Sequence, residues 1–133
     1  AELHRVLRPG GGLGLVWNER DTSVPWVAEL SRIIRWDERG EWMVPYTVEV
    51  DWAGRFAAEA PMFAPMEVDR SGHVQELDVE TLVARVLSTS YIAARDEAGR
   101  ADIESRVREL VADFPERFEL PYVSVSYRCH AIG

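Results

Sequence analysis

The sequence contains no lysine, a single cysteine and no long apolar run. All fifteen basic residues are arginines, and 23 acidic residues bring the formal net charge to -8. Because an acidic balance opposes binding to a phosphate backbone, we expect no nucleic-acid partner. Cys129 alone cannot form an internal disulfide, which fits a reducing compartment. The longest apolar run, around residues 13–17, is far too short to span a bilayer, and no signal peptide is evident, so we expect a cytoplasmic protein with no membrane partner.

The composition is that of a globular domain: 47% of the 133 residues are hydrophobic and 10% are aromatic. Residues 1–7 carry apolar side chains at helical spacing, and Pro9 and three glycines then end the helix. A seven-residue helix is not stable alone, because the free-energy cost of nucleating a helix exceeds the stabilisation from the few hydrogen bonds of so short a segment. We therefore expect a partner on its N-terminal side, and we interpret residues 1–133 as a single partial domain. The glycines do not predict a phosphate site, since they precede a strand instead of leading from a strand into a helix.

Apolar periodicity predicts the helices. Val27, Leu30, Ile33 and Ile34 form one apolar stripe, and Pro25 suits the first turn of that helix. Residues 37–65 are irregular except for one short helix. The predicted helices cover residues 25 to about 36, 51–59 and 78–91. Asp51 and Asp78 are the predicted N-caps of the second and third helices, and Tyr91 completes the apolar stripe of the third. A fourth helix follows a break at 95–100, includes Ile103 and stops before Pro115.

Three or so strands are predicted. Residues 13–17 form an apolar strand that leads into a polar loop at 18–23. Residues 65–69 are a second candidate, after which Ser71-Gly72 suggests a turn, and 73–77 are either a continuation or another strand. Residues 123–130 alternate strictly between apolar and polar side chains, as in a strand with one buried face. Strands and helices alternate along the chain, which indicates an α/β fold.

The run from Glu2 to Leu13 (ELHRVLRPGGGL) resembles the helix-turn-strand unit found late in class I S-adenosylmethionine-dependent methyltransferases. Residues 17–21, 25–30, 88–92 and 120–123 resemble, in that order, the small-molecule branch similar to trans-aconitate methyltransferase. The resemblance covers nearly the whole chain but only the C-terminal half of the family. It implies the C-terminal part of a Rossmann-like sheet, with parallel strands, an antiparallel terminal strand inserted between two others, and flanking helices.

The resemblance also implies S-adenosylmethionine as the cofactor and a small molecule as the methyl acceptor. The glycine-rich motif of the family and the acidic residue that closes its second strand have no match here. We therefore expect this chain alone to lack most of the cofactor site and to be catalytically inactive, and we assign no cofactor-binding residue. We assign no catalytic residue either, because the sulfonium supplies the reactive group and the protein mainly aligns the acceptor.

Five residues are candidates for the acceptor site. Trp17, Asn18 and Arg20 lie where the first strand ends, and ligands bind at that edge of open α/β sheets. The resemblance places Ser90 and Tyr91, at the end of a helix, near the acceptor.

Alternatives remain for these candidates. Arg20 would pair with a substrate carboxylate, or with the neighbouring Glu19 or Asp21 in a solvated salt bridge. Tyr91 would line the pocket or pack in the core, and Trp17 would stack on a ligand or cover the sheet.

Other site chemistries have no support in the sequence. The three histidines and Cys129 lack metal-ligand spacing, so we expect no metal site. No nucleophile elbow or Ser/His/Asp constellation is present.

A second hypothesis is a non-enzymatic module that associates with itself. In the resembled fold strand 13–17 is central, so its apolar edge would be exposed in this chain alone. Such an edge invites pairing with another copy, and we expect a homo-oligomer.

Overall fold

The structure, a computed structural model, describes residues 2–34 and 51–132. Expectations for 35–50, including the last residues of the helix predicted to reach Trp36, lie outside these ranges. The described elements alternate between helices and strands, which confirms the α/β class. They are α1 (Glu2–Val6), β1 (Gly12–Arg20), α2 (Pro25–Ile33), α3 (Trp52–Glu59), β2 (Glu67–Leu77), α4 (Val79–Leu87), α5 (Ser90–Ala93), α6 (Glu97–Leu110) and β3 (Phe118–His130).

The three strands form one antiparallel sheet with the order β1-β3-β2. Near one end of the β1-β3 pair, the backbone N–H of Gly10 donates to Ala131 (3.1 Å), and beyond the other end that of Asp21 donates to Pro121 (3.0 Å). The expected insertion of the last strand between the other two is confirmed. Because β1 and β2 both pair with β3, each lies at an edge of the described sheet.

Two predicted breaks in the strands are wrong. β1 continues through Arg20, so Asn18 and Arg20 belong to the strand and not to a loop. β2 passes through Ser71-Gly72 without a turn, so residues 73–77 continue the strand, which was one of the two predicted alternatives. Strand pairing continues through these turn-forming residues, because polar side chains and glycine lower the stability of an exposed edge strand only slightly.

The helix starts follow the predicted chemistry. Pro25 occupies the first turn of α2. The Asp51 carboxylate accepts the N–H of Gly54, and that of Asp78 accepts the N–H of Thr81, both at 2.8 Å. These contacts satisfy helix N–H groups that have no partner within the helix, so both predicted caps are confirmed.

The helix predicted to continue to Tyr91 is interrupted. Ser88 and Thr89 donate their hydroxyl groups to the carbonyl of Arg85, at 2.8 and 3.3 Å, and α4 ends at Leu87. Ser90 and Tyr91 therefore begin the short helix α5, which corrects their predicted position at the end of a helix. Side chains that bond back to the helix carbonyls compete with its continuation.

The predicted break at 95–100 is shorter than expected. The Asp96 carboxylate accepts the N–H of Gly99 at 2.8 Å and caps α6, which includes both Gly99 and Arg100.

The chain divides into two compact units. We call the described residues of Ala1–Glu19, Pro45–Gly72 and Val123–Gly133 the aromatic unit, after the ring cluster that Trp17 forms with Trp52 and Tyr127. We call those of Arg20–Val44 and His73–Tyr122 the helical unit. The helical unit contains a core of fifteen buried residues from α2, α4, α5, α6 and adjoining strands. The predicted stripe residues of α2 lie in this core: Val27, Leu30, Ile33 and Ile34.

Candidate functional site

Arg20 lies in the helical unit at the end of β1. Its guanidinium is within electrostatic range of the phenol groups of Tyr122 and Tyr91 and of the Arg85 guanidinium. Burial lowers the pKa of Arg20, the two phenols oppose that change, and the like charge of Arg85 adds to it. Arg20 thus lies within electrostatic range of a second cation and of two phenols.

Arg85 and Tyr122 are held against each other. The Arg85 Nη2 donates a hydrogen bond to the Tyr122 hydroxyl at 2.8 Å, and the guanidinium carbon lies 5.7 Å from the ring centroid. The His73 ring stacks on Tyr122 with centroids 5.4 Å apart and planes 13° apart. A guanidinium has five N–H donors, so Arg85 holds Tyr122 with one and has others for an anion. This arrangement suits a carboxylate.

Ser90 and Tyr91 differ in environment. Ser90 is exposed at the start of α5, whereas Tyr91 is half-buried and packs against the core of the helical unit. Tyr91 also lies within electrostatic range of Arg20. The structure therefore brings Arg20 and Tyr91 together, and both interpretations of Tyr91 remain compatible with its position.

Trp17 and Asn18 lie in the aromatic unit. Trp17 is half-buried, its ring stacks on Trp52 with centroids 6.0 Å apart, and it meets Tyr127 edge to face at 5.4 Å. Asn18 is exposed, and its side-chain oxygen accepts the Ser124 hydroxyl at 2.6 Å. Successive strand residues point to opposite faces, so the two candidates face different ways.

The carboxylates that flank Arg20 have other contacts. Asp21 accepts hydrogen bonds from the backbone N–H and the hydroxyl of Ser23, at 3.0 and 2.6 Å. Glu19 is within electrostatic range of Arg70 on β2. Both acidic neighbours of Arg20 therefore have contacts other than the predicted salt bridge to Arg20.

Sequence reasoning missed three residues of these clusters. Arg85 and Tyr122 are 37 positions apart, and no local pattern connects them. Glu19 did give a signal, because a charged residue occupies the half-buried face of an otherwise apolar strand. Its Oε2 is shielded from solvent and has no hydrogen-bond partner.

A groove of about 450 Å³ lies in the aromatic unit and includes none of the five predicted site residues. Its charged groups Arg128 and Glu67 pair with each other at 2.7 Å, and burial raises the pKa of the Cys129 thiol. The groove is lined by Gly12, Leu13, Gly14, Pro65, Glu67, Arg128, Cys129 and His130.

Residues 2–34 and 51–132, which the structure describes, contain no group of three or more His, Cys, Asp or Glu residues placed to hold a metal ion. None of their helices has the length and apolar character needed to cross a membrane.

The chain is similar to curated proteins named as uncharacterized methyltransferases. Proteins of Mycobacterium bovis and Mycobacterium tuberculosis are 33% identical over 141 aligned positions, which cover 96% of this chain and 49% of their own length. A Schizosaccharomyces pombe protein named methyltransferase-like is 29% identical over 99% of this chain and 50% of its own length. No protein-family model matches the chain. The chain therefore spans about half the length of these relatives.

Proposed function

We propose that the chain forms the C-terminal half of a cytoplasmic class I S-adenosylmethionine-dependent methyltransferase that acts on a small molecule. The observation that carries the proposal is the 33% identity to uncharacterized methyltransferases across 96% of the chain. In this proposal the chain supplies walls of the acceptor pocket. The cofactor binds mainly to the other half of the fold, and the 133 residues alone are inactive.

The strand order supports this assignment. A last strand that lies antiparallel between two earlier ones is what the resemblance implies for the end of a class I methyltransferase sheet. Fold alone does not establish an activity, so the argument depends on the relatives and on the candidate site.

The cluster of Arg20, Arg85, Tyr91 and Tyr122 supports a carboxylate-bearing acceptor, as in the trans-aconitate branch. Two neighbouring guanidinium groups repel each other, and a bound carboxylate would relieve that repulsion. Tyrosine hydroxyl groups would add neutral donors to the same ligand.

Cofactor binding tests the methyltransferase assignment. S-adenosylhomocysteine is titrated by calorimetry into the 133-residue chain and into the product of the complete reading frame that encodes it. Binding only by a product with further N-terminal residues is the expected result, and transfer of a labelled methyl group should accompany it. Absence of binding in both proteins contradicts the proposal, and binding by the 133 residues alone refutes the assigned division of the fold.

The acceptor cluster is tested with trans-aconitate as the probe. Arg20→Gln and Arg85→Gln should each weaken its binding about tenfold, because a charge-assisted hydrogen bond is lost. Arg117→Gln is the matched control, since Arg117 pairs with Glu76 in the same unit. Equal effects of all three variants would show a general charge effect and remove the cluster from the acceptor site.

A second candidate function is self-association through β1. The strand lies at an edge of the described sheet, its residues 12–17 are uncharged, and Val16 is 67% exposed. Light scattering should then show a dimer that Val16→Lys disrupts, since charges on an edge oppose pairing. Val74→Lys on the other edge strand is the control. A wild-type monomer excludes this candidate.

A further inference from the structure

The Arg85 guanidinium is held by a phenol and not by a carboxylate. Arg117, in the same unit, pairs with Glu76, as is usual for an exposed arginine. Arg85 is also exposed, but its Nη2 donates to the Tyr122 hydroxyl at 2.8 Å. A phenol is neutral, so it fixes the position of the guanidinium without cancelling the positive charge. The charge of Arg85 therefore remains available to an anion.

The backbone of Arg85 is fixed as well. Arg85 lies in the last turn of α4, and its carbonyl accepts the hydroxyl groups of Ser88 and Thr89 at 2.8 and 3.3 Å. An arginine side chain loses rotamer entropy when a ligand orders it, and this loss weakens binding. Because both ends of the Arg85 side chain are held in the structure, part of this loss is avoided when a ligand binds.

Tyr122 is a rigid partner for Arg85. It is 7% exposed and belongs to β3, the strand that pairs with both other strands of the described sheet. The His73 ring stacks on Tyr122 with planes 13° apart, and the Arg85 guanidinium carbon lies 5.7 Å from the centroid of the Tyr122 ring. All three residues belong to the helical unit. A buried and stacked ring has little freedom to move, so its hydroxyl is an acceptor at a fixed place.

We propose that Tyr122 is a positioning residue that orients the Arg85 guanidinium for the carboxylate of the bound acceptor. The inference rests on the proposed function, in which Arg85 binds that carboxylate. A guanidinium is planar, so a hydrogen bond from Nη2 to a fixed hydroxyl sets the directions of the other N–H groups. A carboxylate can then accept two parallel hydrogen bonds from Arg85, which is the strongest arrangement for this pair.

The first test is a double-mutant cycle in the 133-residue chain, with trans-aconitate as the probe and calorimetry as the measurement. Tyr122→Phe removes the hydroxyl and keeps the ring with its stack. It should weaken binding about fivefold in the wild type, because Arg85 must then be ordered by the ligand. In the Arg85→Gln background it should weaken binding at most about twofold, which is the part that a direct bond from Tyr122 to the ligand could contribute.

The matched control is Tyr127→Phe. Tyr127 is also buried in β3, at 8% exposed, but it belongs to the aromatic unit and contacts Trp17. This variant should bind trans-aconitate as the wild type does. An equal loss in both phenylalanine variants would show a general effect of removing a buried hydroxyl and would overturn the inference.

The second test reads the orientation of Arg85 without any ligand. In NMR, the two Nη groups of a guanidinium exchange by rotation about the Nε–Cζ bond, and a hydrogen bond at one of them slows this exchange. Tyr122→Phe should raise the exchange rate of Arg85 several-fold and leave that of Arg117, the reference in the same sample, unchanged. Circular dichroism of the variant should match the wild type, which shows that the fold is retained.

An equal effect of Tyr122→Phe with and without Arg85, an unchanged exchange rate at Arg85, or no binding of trans-aconitate by the wild type would each overturn the inference. Failure of the proposed function has a different signature. Binding that couples Tyr122 to Arg85, in a protein whose complete reading frame transfers no methyl group, would retain the positioning role and remove the methyltransferase assignment. Methyl transfer that does not respond to Tyr122→Phe would do the opposite.

Discussion

The helical unit and the aromatic unit are stabilised by different side chains. Fifteen buried residues, mostly aliphatic, form the core of the helical unit. Four buried residues of the aromatic unit lie outside that core: Phe63, Val125, Tyr127 and Ala131. Of the six large apolar side chains that are exposed in the described residues, five belong to the aromatic unit: Leu3, Val6, Val16, Val68 and Ile132.

This difference shows which unit buries the apolar side chains of its described residues more completely. Burial of apolar surface is the main favourable term in folding, so a unit that leaves large apolar side chains in water forgoes stabilisation. The helical unit already covers its apolar stripes. The aromatic unit is where a covering partner would add most, whether that is the other half of a methyltransferase fold or a second copy.

The largest loss of stability is expected from a cavity made in the core of the helical unit. Leu82 on α4 is 1% exposed, so Leu82→Ala should lower the free energy of unfolding by about 2–5 kcal/mol. Val16→Ala in the aromatic unit is the control and should change it by at most about 0.5 kcal/mol, because Val16 is exposed. Urea unfolding followed by circular dichroism measures both. Similar losses for the two variants would show that the units do not differ in this way.

A matched pair of tryptophans sharpens the comparison. Trp17 contacts Trp52 and Tyr127 in the aromatic unit, and Trp26 contacts Phe114 and Phe118 in the helical unit. Both are half-buried, and each alanine variant should cost about 2 kcal/mol.

The two tryptophan variants should differ in where protection is lost. In native-state hydrogen exchange, Trp17→Ala should increase opening of the aromatic unit only, because local opening follows local contacts. Trp26→Ala should destabilise the helical unit. Uniform loss of protection in both variants would indicate one cooperative unit.

Local signals in the sequence predicted much of the helical unit. Pro25, Asp78 and the apolar stripe of α2 depend on contacts within a few residues, and all were confirmed. The cap at Asp96 was missed, because Gly99 suggested a break instead of a first helical turn. Helix boundaries depend on whether a side chain such as Asp96 caps the helix or residues such as glycine interrupt it.

Strands and the site depend on distant partners, and there prediction failed more often. β3 begins at Phe118, before Pro121, although a proline in a central strand argues against that assignment. The Pro121 carbonyl still accepts the N–H of Asp21, so the strand tolerates the missing donor. Arg85 and Tyr122 meet only through packing, and the shielded oxygen of Glu19 is visible only in three dimensions.

Helix caps provide a smaller and matched test. Asp96 caps α6 in the helical unit, and Asp51 caps α3 in the aromatic unit. Each alanine variant removes one hydrogen bond to a helix N–H and should cost about 1 kcal/mol locally. Because α3 has no buried residue, Asp51→Ala should affect local hydrogen exchange without shifting the urea midpoint, whereas Asp96→Ala should shift it. Asparagine variants keep the cap and should resemble the wild type.

The smallest expected effect is a difference in pH dependence. Burial raises the pKa of Glu19, so the folded protein retains a proton that the unfolded chain has released, and stability should fall as pH rises from about 4.3 to the raised pKa. The hydrogen bonds from Thr81 lower the pKa of Asp78, so its contribution is present above about pH 3.9 and is lost as pH falls through the lowered pKa. Urea unfolding across the acidic range should show that Glu19→Gln removes a decrease of stability with pH and that Asp78→Asn removes an increase. Slopes of the same sign would mean that burial does not control the pKa of Glu19. The shielded Glu19 carboxylate would then not lower the stability of the aromatic unit as pH rises.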